Sequence, residues 1–247
     1  MSLPVFYVAR EKLRVGERIV VAGQEGRHAA VVRRIRAGES IQLTDGEGQL
    51  ARARVVAVDR SSITVDVLDG AQVPRPIPTL VVVQALPKGE RGELAVELMT
   101  EIGVDVIIPW TASRCVVRWQ GEREGRGLAR WRSAAREAAK QSHRAWWPIV
   151  EPLTSTAGVV DRLAGAQSAF VLNEGATSSL APSRIPTTGE VIVVVGPEGG
   201  VTDEETQQFI VSGAESVSVG PTVLRTSTAG LVAATVILSA GPRWSTS

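Results

Sequence analysis

A single cysteine, Cys115, is too few for an intrachain disulfide or a cysteine-built zinc cage. The only histidines, His28 and His143, have no partners at metal-ligand or triad spacing, so no metal is expected. Long apolar runs are also missing. Stretches such as Val191 to Val195 fall far short of a bilayer, and no membrane partner is expected. The first ten residues run into Glu11, Lys12 and Arg14 before any secretory apolar segment develops, so a cytoplasmic location is expected. The formal net charge of +1 does not by itself announce a polyanionic partner. No glycine-rich loop ends in Lys followed by Ser or Thr, and no G-x-G-x-x-G occurs, which argues against a P-loop or an ordinary dinucleotide enzyme.

Apolar residues make up 44% of the chain and charged residues 21%, a balance that supports a packed core. At 247 residues, two modest domains fit better than one. The opening segment reads as short strands at Arg18 to Val21, Ser40 to Leu43, Leu50 to Val58 and Ser62 to Leu68, with Asp45-Gly46-Glu47-Gly48 as a tight turn. That pattern predicts a small β-barrel over residues 1–73. Within it, Gly26 to Arg36 places His28, Val31, Val32 and Ile35 at helical spacing and leaves Arg33, Arg34 and Arg36 on another face. Pro74, Pro76 and Pro78 then favour an extended connector.

Residues 74–247 change rhythm and predict a second, α/β domain. Strands are expected at Leu80 to Gln84, Asp105 to Pro109, Ser168 to Leu172, Val191 to Val195 and Ser216 to Val219. Helices are expected at Arg91 to Ile102, Arg126 to Gln141, Asp203 to Gly213 and Thr228 to Ser239. The alternation is that of a mostly parallel sheet covered on both faces, where ligands settle at the carboxyl ends of strands. Val195 leads into Gly196-Pro-Glu-Gly-Gly200, and Thr202 with Glu205 forms a capping-box pattern for the next helix. By itself this loop is as readily a plain strand-to-helix turn as a ligand cradle. Glu198 would repel a pyrophosphate and tolerate a sulfonium or ammonium, which favours a cationic cofactor. The next strand leads into Val219-Gly-Pro221 and then Leu224-Arg-Thr226. Arg225 either holds an anionic group or makes a structural ion pair with Glu198 or another carboxylate.

Between Arg114 and Arg144 stand nine Lys or Arg against three Glu, a basic stripe that carries Trp119 and Trp131 and is followed by Trp146 and Trp147. Cations for phosphates and rings for unpaired bases would suit RNA. An amphipathic helix with core tryptophans, Trp131 above all, is the bland alternative.

Gly196-Pro-Glu-Gly-Gly200 together with Val219-Gly-Pro221 and Leu224-Arg-Thr226 resembles the RsmE-type methyltransferases, members of the SPOUT superfamily that act on N3 of a uridine in 16S ribosomal RNA. Lys88-Gly-Glu90, Glu101-Ile-Gly-Val104, Arg114 and Gln141 with Arg144 extend the likeness, as do His28, Val32, Arg34, Gly38 and Asp45-Gly46. The resemblance implies a PUA-like barrel followed by a SPOUT domain with a trefoil knot. It implies S-adenosylmethionine held by Leu172, Asn173, Glu174, Gly196, Pro197, Glu198, Gly199, Gly200, Val219, Gly220, Pro221, Leu224, Arg225 and Thr226.

Arg225 is the leading catalytic residue in this reading, with Gln141, Arg144 and Glu198 orienting base or cofactor. Arg10, His28, Arg33, Arg34, Arg36, Lys88, Arg114, Lys140 and Arg144 are expected to meet RNA. A homodimer is implied, acting on 16S ribosomal RNA or the assembled small subunit. Two positions depart from the family pattern. Ser227 stands where Glu is usual and reads as a helix-start residue, and Lys140 precedes Gln141 where Glu is common. A non-catalytic RNA-binding or ribosome-assembly protein on the same fold is the alternative.

Overall fold

The computed structural model describes residues 3–244. The chain forms two compact units, Met1–Arg75 with Lys140–Trp147, and Pro76–Ala139 with Pro148–Ser247.

In the first unit, strands β1 (Val5–Tyr7), β2 (Arg18–Val21), β3 (Ser40–Thr44), β4 (Gln49–Val58) and β5 (Ile63–Gln72) pair in the order β1-β3-β4-β5-β2. Alternate side chains, Ile41 and Leu43, Ala51, Ala53 and Val55, Ile63, Val65 and Val67, all point into one core, as the two-residue period of a strand requires. The outer face pairs charges across strands instead: Arg18 with Asp66 at 2.6 Å, and Arg52 with Asp69. At the β3–β4 turn the Asp45 carboxylate accepts from the Glu47 and Gln49 amides at 2.7 and 2.9 Å. β1 escaped the sequence reading because three residues carry no measurable alternation.

The expected helix over Gly26 to Arg36 is corrected by the structure. Helix α1 (Gly23–Arg27) runs into a π-helical turn over His28–Val32, and the Arg33 amide reaches back to the His28 carbonyl at 2.9 Å. Widening the turn changes the phase. Ala29 and Ile35 face the core, while Val31 and Val32 face solvent.

Residues 140–147 complete this unit by clasping the β3–β4 turn. Gly48 N–H donates to the Ala145 carbonyl and Trp147 N–H to that of Gly46, both at 2.9 Å, and Trp146 Nε1 donates to Val73 at 3.0 Å. A Cβ on Gly46 would lie 2.7 Å from the Trp147 ring, and one on Gly48 2.6 Å from Trp146. Both glycines also sit at positive φ, 71° and 98°, so ring contact and backbone conformation independently demand them.

The second unit begins with β6 (Thr79–Ala85), α2 (Arg91–Ile102), β7 (Val106–Trp110), α3 (Glu122–Gln141, whose last two residues join the first unit) and β8 (Ile149–Val150). It continues with α4 (Thr156–Ala164), β9 (Ser168–Leu172), β10 (Glu190–Val195), α5 (Asp203–Val211), β11 (Ala214–Val217) and α6 (Thr226–Ala240). The sheet is wholly parallel, in the order β11-β9-β10-β6-β7-β8. Leu80 to Val83 and Val191 to Val194 are fully buried, as central parallel strands must be when both faces are covered. From the β11 edge the chain returns across the sheet, and α6 packs on α2, β6 and β10. Gly230 permits that approach, since a Cβ there would lie 2.8 Å from Met99 Sδ. β11 ends at Val217, two residues before the expected Val219, and β8 and α4 were not anticipated.

Candidate functional site

Loops leaving the carboxyl ends of β9, β10 and β11 meet at a concavity of about 630 Å³ in the second unit. Every residue assigned from the sequence to cofactor contact lines it: Leu172, Asn173, Glu174, Gly196, Pro197, Glu198, Gly199, Gly200, Val219, Gly220, Pro221, Leu224, Arg225 and Thr226. Arg91, Arg114 and Asp203 complete the rim.

The β10 loop is shaped by its glycines. A Cβ on Gly196 would lie 2.8 Å from Val201, and Gly200, at φ 73°, closes a turn by donating to the Pro197 carbonyl at 2.9 Å. Thr202 and Glu205 then form the predicted capping box at α5. The β11 loop turns at Gly220, with φ 76°. Among the described residues, no protein acceptor takes the peptide N–H groups of Val219, Gly220, Thr222, Val223 or Leu224. They remain available to a ligand lying along the loop. Beneath, Gln84 Nε2 donates to Thr226 Oγ1 at 3.0 Å, and Thr226 Oγ1 donates to the Gly196 carbonyl at 2.7 Å. This buried chain fixes the β10 loop against the first turn of α6.

Arg225 is the N-cap residue of α6 and is exposed, without an ion-pair partner among the described residues. The pair with Glu198 weighed from the sequence does not form. Glu198 accepts from the Lys88 amide at 3.0 Å and pairs with Arg91 at 3.6 Å. Its charge is thereby offset by the α2 end, which weakens the argument that it favours a cationic ligand. Ser227 is a helix-start residue as expected, buried at the second position of α6, although no side-chain cap bond forms there. Arg114 Nη1 donates to the Gly199 carbonyl at 2.9 Å. Burial pushes the Cys115 thiol up, keeping it protonated beside the site.

Several expected RNA contacts have other partners. Lys140 is buried and paired with Glu25 at 2.9 Å, which removes its ammonium from any nucleic-acid surface. His28 is half-buried, edge-on to Phe6. Arg10 lies among Gln72, Asp45 and Glu47. Within the basic stripe, Arg126 pairs with Glu122, Arg130 with Glu93 at 2.8 Å, and Arg132 donates to the Val150 carbonyl. The stripe's tryptophans are structural: Trp131 is buried against Trp119 at a centroid distance of 5.2 Å, and Trp146 and Trp147 cover the glycines of the β3–β4 turn. Arg33, Arg34 and Arg36 are exposed, as is Lys88. Gln141 and Arg144 do not line the concavity and belong to the first unit. The sequence reading passed over Arg91, although it follows the noted Lys88-Gly-Glu90 directly, and saw Glu205 only as half of a cap.

The RNA methyltransferase domain family matches residues 74–238, and the RNA methyltransferase PUA domain family matches residues 21–68. Ribosomal RNA small subunit methyltransferase E of Mycobacterium bovis is 46% identical over 232 residues, covering 92% of this chain and 88% of that protein. The Bacillus subtilis protein of the same name is 27% identical over 238 residues, 93% of each. Ribosomal RNA small subunit methyltransferase E of Neisseria gonorrhoeae, solved bound to S-adenosyl methionine, superposes with a TM-score of 0.86 at 28% identity, covering 96% of this chain and 97% of that one. A Legionella pneumophila methyltransferase, solved in complex with the same cofactor, gives a TM-score of 0.87 at 28% identity, covering 98% and 99%. With its wholly parallel sheet, its PUA unit and this degree of identity along nearly its whole length, the chain belongs to the ribosomal RNA small subunit methyltransferase E family.

Proposed function

We propose that this protein transfers the methyl group of S-adenosylmethionine to N3 of a uridine in 16S ribosomal RNA. The observation that carries the reading is the convergence of three strand-end loops on one concavity, with peptide N–H groups and a guanidinium that have no partner among the described residues. Bound there, S-adenosylmethionine would supply an electrophilic methyl on a sulfonium. Leu172 to Glu174, Gly196 to Gly200 and Val219 to Thr226 would hold and orient it, largely through backbone groups. Alignment of nucleophile, carbon and leaving sulfur supplies much of the acceleration in such a displacement. Arg225 would meet the uracil carbonyls, where negative charge gathers as N3 loses its proton, and act as an oxyanion hole does. Glu198, which lines the concavity, serves as an orienting group in this reading.

The first unit, Met1–Arg75 with Lys140–Trp147, is the RNA-binding one, and Pro76–Ala139 with Pro148–Ser247 the catalytic one, with the chain after β11 threaded as a trefoil knot. Arg33, Arg34 and Arg36 are the cations of the first unit that meet RNA, and Lys88 and Arg114 those of the second. The protein works in the cytoplasm as a homodimer, on free 16S ribosomal RNA or on the assembled small subunit. Mass mapping of methylated nucleotides in ribosomal RNA from cells with and without the gene tests the reading. Loss of one 3-methyluridine is expected, and an unchanged methylation map overturns it.

A further inference from the structure

Glu205 does more than its capping box requires. A capping box asks the glutamate for one hydrogen bond, to the N-cap amide, and Glu205 Oε2 provides it by accepting from Thr202 N–H at 3.2 Å. The other oxygen, Oε1, accepts three donors from distant segments. These are Ser113 N–H at 2.8 Å, Ser113 Oγ at 2.9 Å and Thr156 Oγ1 at 3.0 Å. Thr156 in turn accepts from Trp110 Nε1 at 3.3 Å. The side chain is almost wholly buried, at 3% exposure. A buried carboxylate so fully satisfied fixes whatever it binds, because each donor released inside the protein would be left unpaired.

What it binds is the backbone one residue before Arg114. Ser113 is clamped to α5 through Glu205, and α5 begins where the Gly196–Gly200 loop ends. The Arg114 side chain then lies along that loop. A Cβ on Gly199 would lie 3.3 Å from Arg114 Cβ, and Arg114 Nη1 donates to the Gly199 carbonyl. Arg114 is therefore held at both ends, through the preceding residue, Ser113, by Glu205 and at its tip by the loop carbonyl. Arg114 itself lines the concavity.

We infer that Glu205 is a positioning residue, which sets the Arg114 guanidinium at the mouth of the concavity to receive an anionic or carbonyl oxygen of the RNA substrate. This inference rests on the methyltransferase reading above. Glu205 itself touches neither substrate nor cofactor; it acts through Ser113 and Arg114.

A double-mutant cycle on the full-length protein separates positioning from plain structural support. Arg114→Ala, Glu205→Gln and the double variant are compared for steady-state methylation of 16S ribosomal RNA, for S-adenosylmethionine binding by calorimetry and for melting temperature. Glu205→Gln should raise KM for RNA about tenfold, the loss expected for one charge-assisted contact. It should leave kcat within about threefold and cofactor affinity within about twofold. In the Arg114→Ala background the same substitution should cost nothing further in kcat/KM, because the residue it positions is gone. Equal losses in both backgrounds, or a lowered melting temperature with unchanged KM for RNA, overturn the inference. Ser113→Ala, which removes one of the three donors to Oε1 and keeps the peptide amide, covers the case in which Glu205→Gln does not fold. It should raise KM for RNA in the wild-type background and not beside Arg114→Ala, and equal effects in the two count against the role. Absence of RNA methylation by the wild-type protein would instead remove the functional reading itself.

Discussion

Replacing Lys140 by Met distinguishes a buried structural cation from an RNA contact. The Lys140 side chain is 4% exposed and Glu25 16% exposed, with 2.9 Å between ammonium and carboxylate. Removing one partner of a buried pair costs about 3–5 kcal/mol, because the other charge is left without compensation. Glu25 keeps some access to water and also accepts from the Tyr7 amide at 3.2 Å, so a value just below that range, about 2–3 kcal/mol, applies. A domain of this size loses about 4–8 °C of melting temperature per kcal/mol, which gives a fall of roughly 10–20 °C for the first unit. Hydrogen exchange of the β3 and β4 amides, read against temperature, follows that unit by itself. Adding Glu25→Gln to Lys140→Met should restore much of the loss, since the orphaned charge disappears. Measured well below the transition, RNA affinity and its salt dependence should be unchanged. If melting were unaffected while the slope of log affinity against log salt fell by about one, Lys140 would be contacting a phosphate and the buried-pair argument would be wrong.

Gly46→Ala places a methyl 2.7 Å from the Trp147 ring in a backbone at φ 71°. Left-handed strain and overpacking together should cost about 2–4 kcal/mol by urea denaturation, with the steric share relieved by Trp147→Ala. Arg225→Ala should lower single-turnover methylation about 10²–10³-fold, the usual loss for an oxyanion-hole donor, with cofactor affinity by calorimetry within about twofold. Burial alone would raise the Glu205 carboxyl, yet hydrogen bonds from Ser113, Thr202 and Thr156 hold it below its ordinary value of 4.5. A depressed folded value means that its contribution to stability is complete above the unfolded value and drains away as pH falls through the folded one. Urea midpoints should therefore drop less steeply below about pH 4.5 in Glu205→Gln than in wild type. Arg33→Glu with Arg34→Glu should weaken RNA binding and flatten its salt slope by about one to two in filter-binding titrations.

Much of the second unit could be read directly from the chain. Val191 to Val195 is a β-branched run ending at a glycine, which a central parallel strand requires and few other elements tolerate. Arg91 to Ile102 carries a 3.6-residue pattern stopped by Gly103 in the left-handed region. α4 gave a weaker signal. Ser155 caps it by accepting from Gly158 N–H at 3.3 Å, but nine residues that include a glycine and two adjacent valines offer little propensity to recognise. β8 is two residues long and exists only as a pairing with β7. The π-turn at His28–Val32 was invisible for a different reason: a helical wheel assumes a fixed phase, and the inserted residue breaks that assumption.

The candidate site divides along the same physical line. Loops whose glycines are dictated by local geometry, Gly200 and Gly220, are legible because positive φ is a property of the residue itself. Side chains whose role depends on a distant partner are not. Lys140 looked like a surface cation because Glu25 lies 115 residues earlier, and Glu205 looked like a simple cap because Ser113 and Thr156 lie 92 and 49 residues away. Counting charges along the stripe from Arg114 to Arg144 therefore overstated its electrostatic footprint, since Glu93 and Glu25, which neutralise two of its members, stand outside the counted window. Arg225 presents the opposite case. It follows a turn at the end of a parallel strand and precedes an apolar helix, a position where no carboxylate among the described residues reaches it. Arg225 thus stands beside glycine-lined peptide groups with its charge uncompensated among the described residues, unlike Lys140, whose partner a count along the chain could not show.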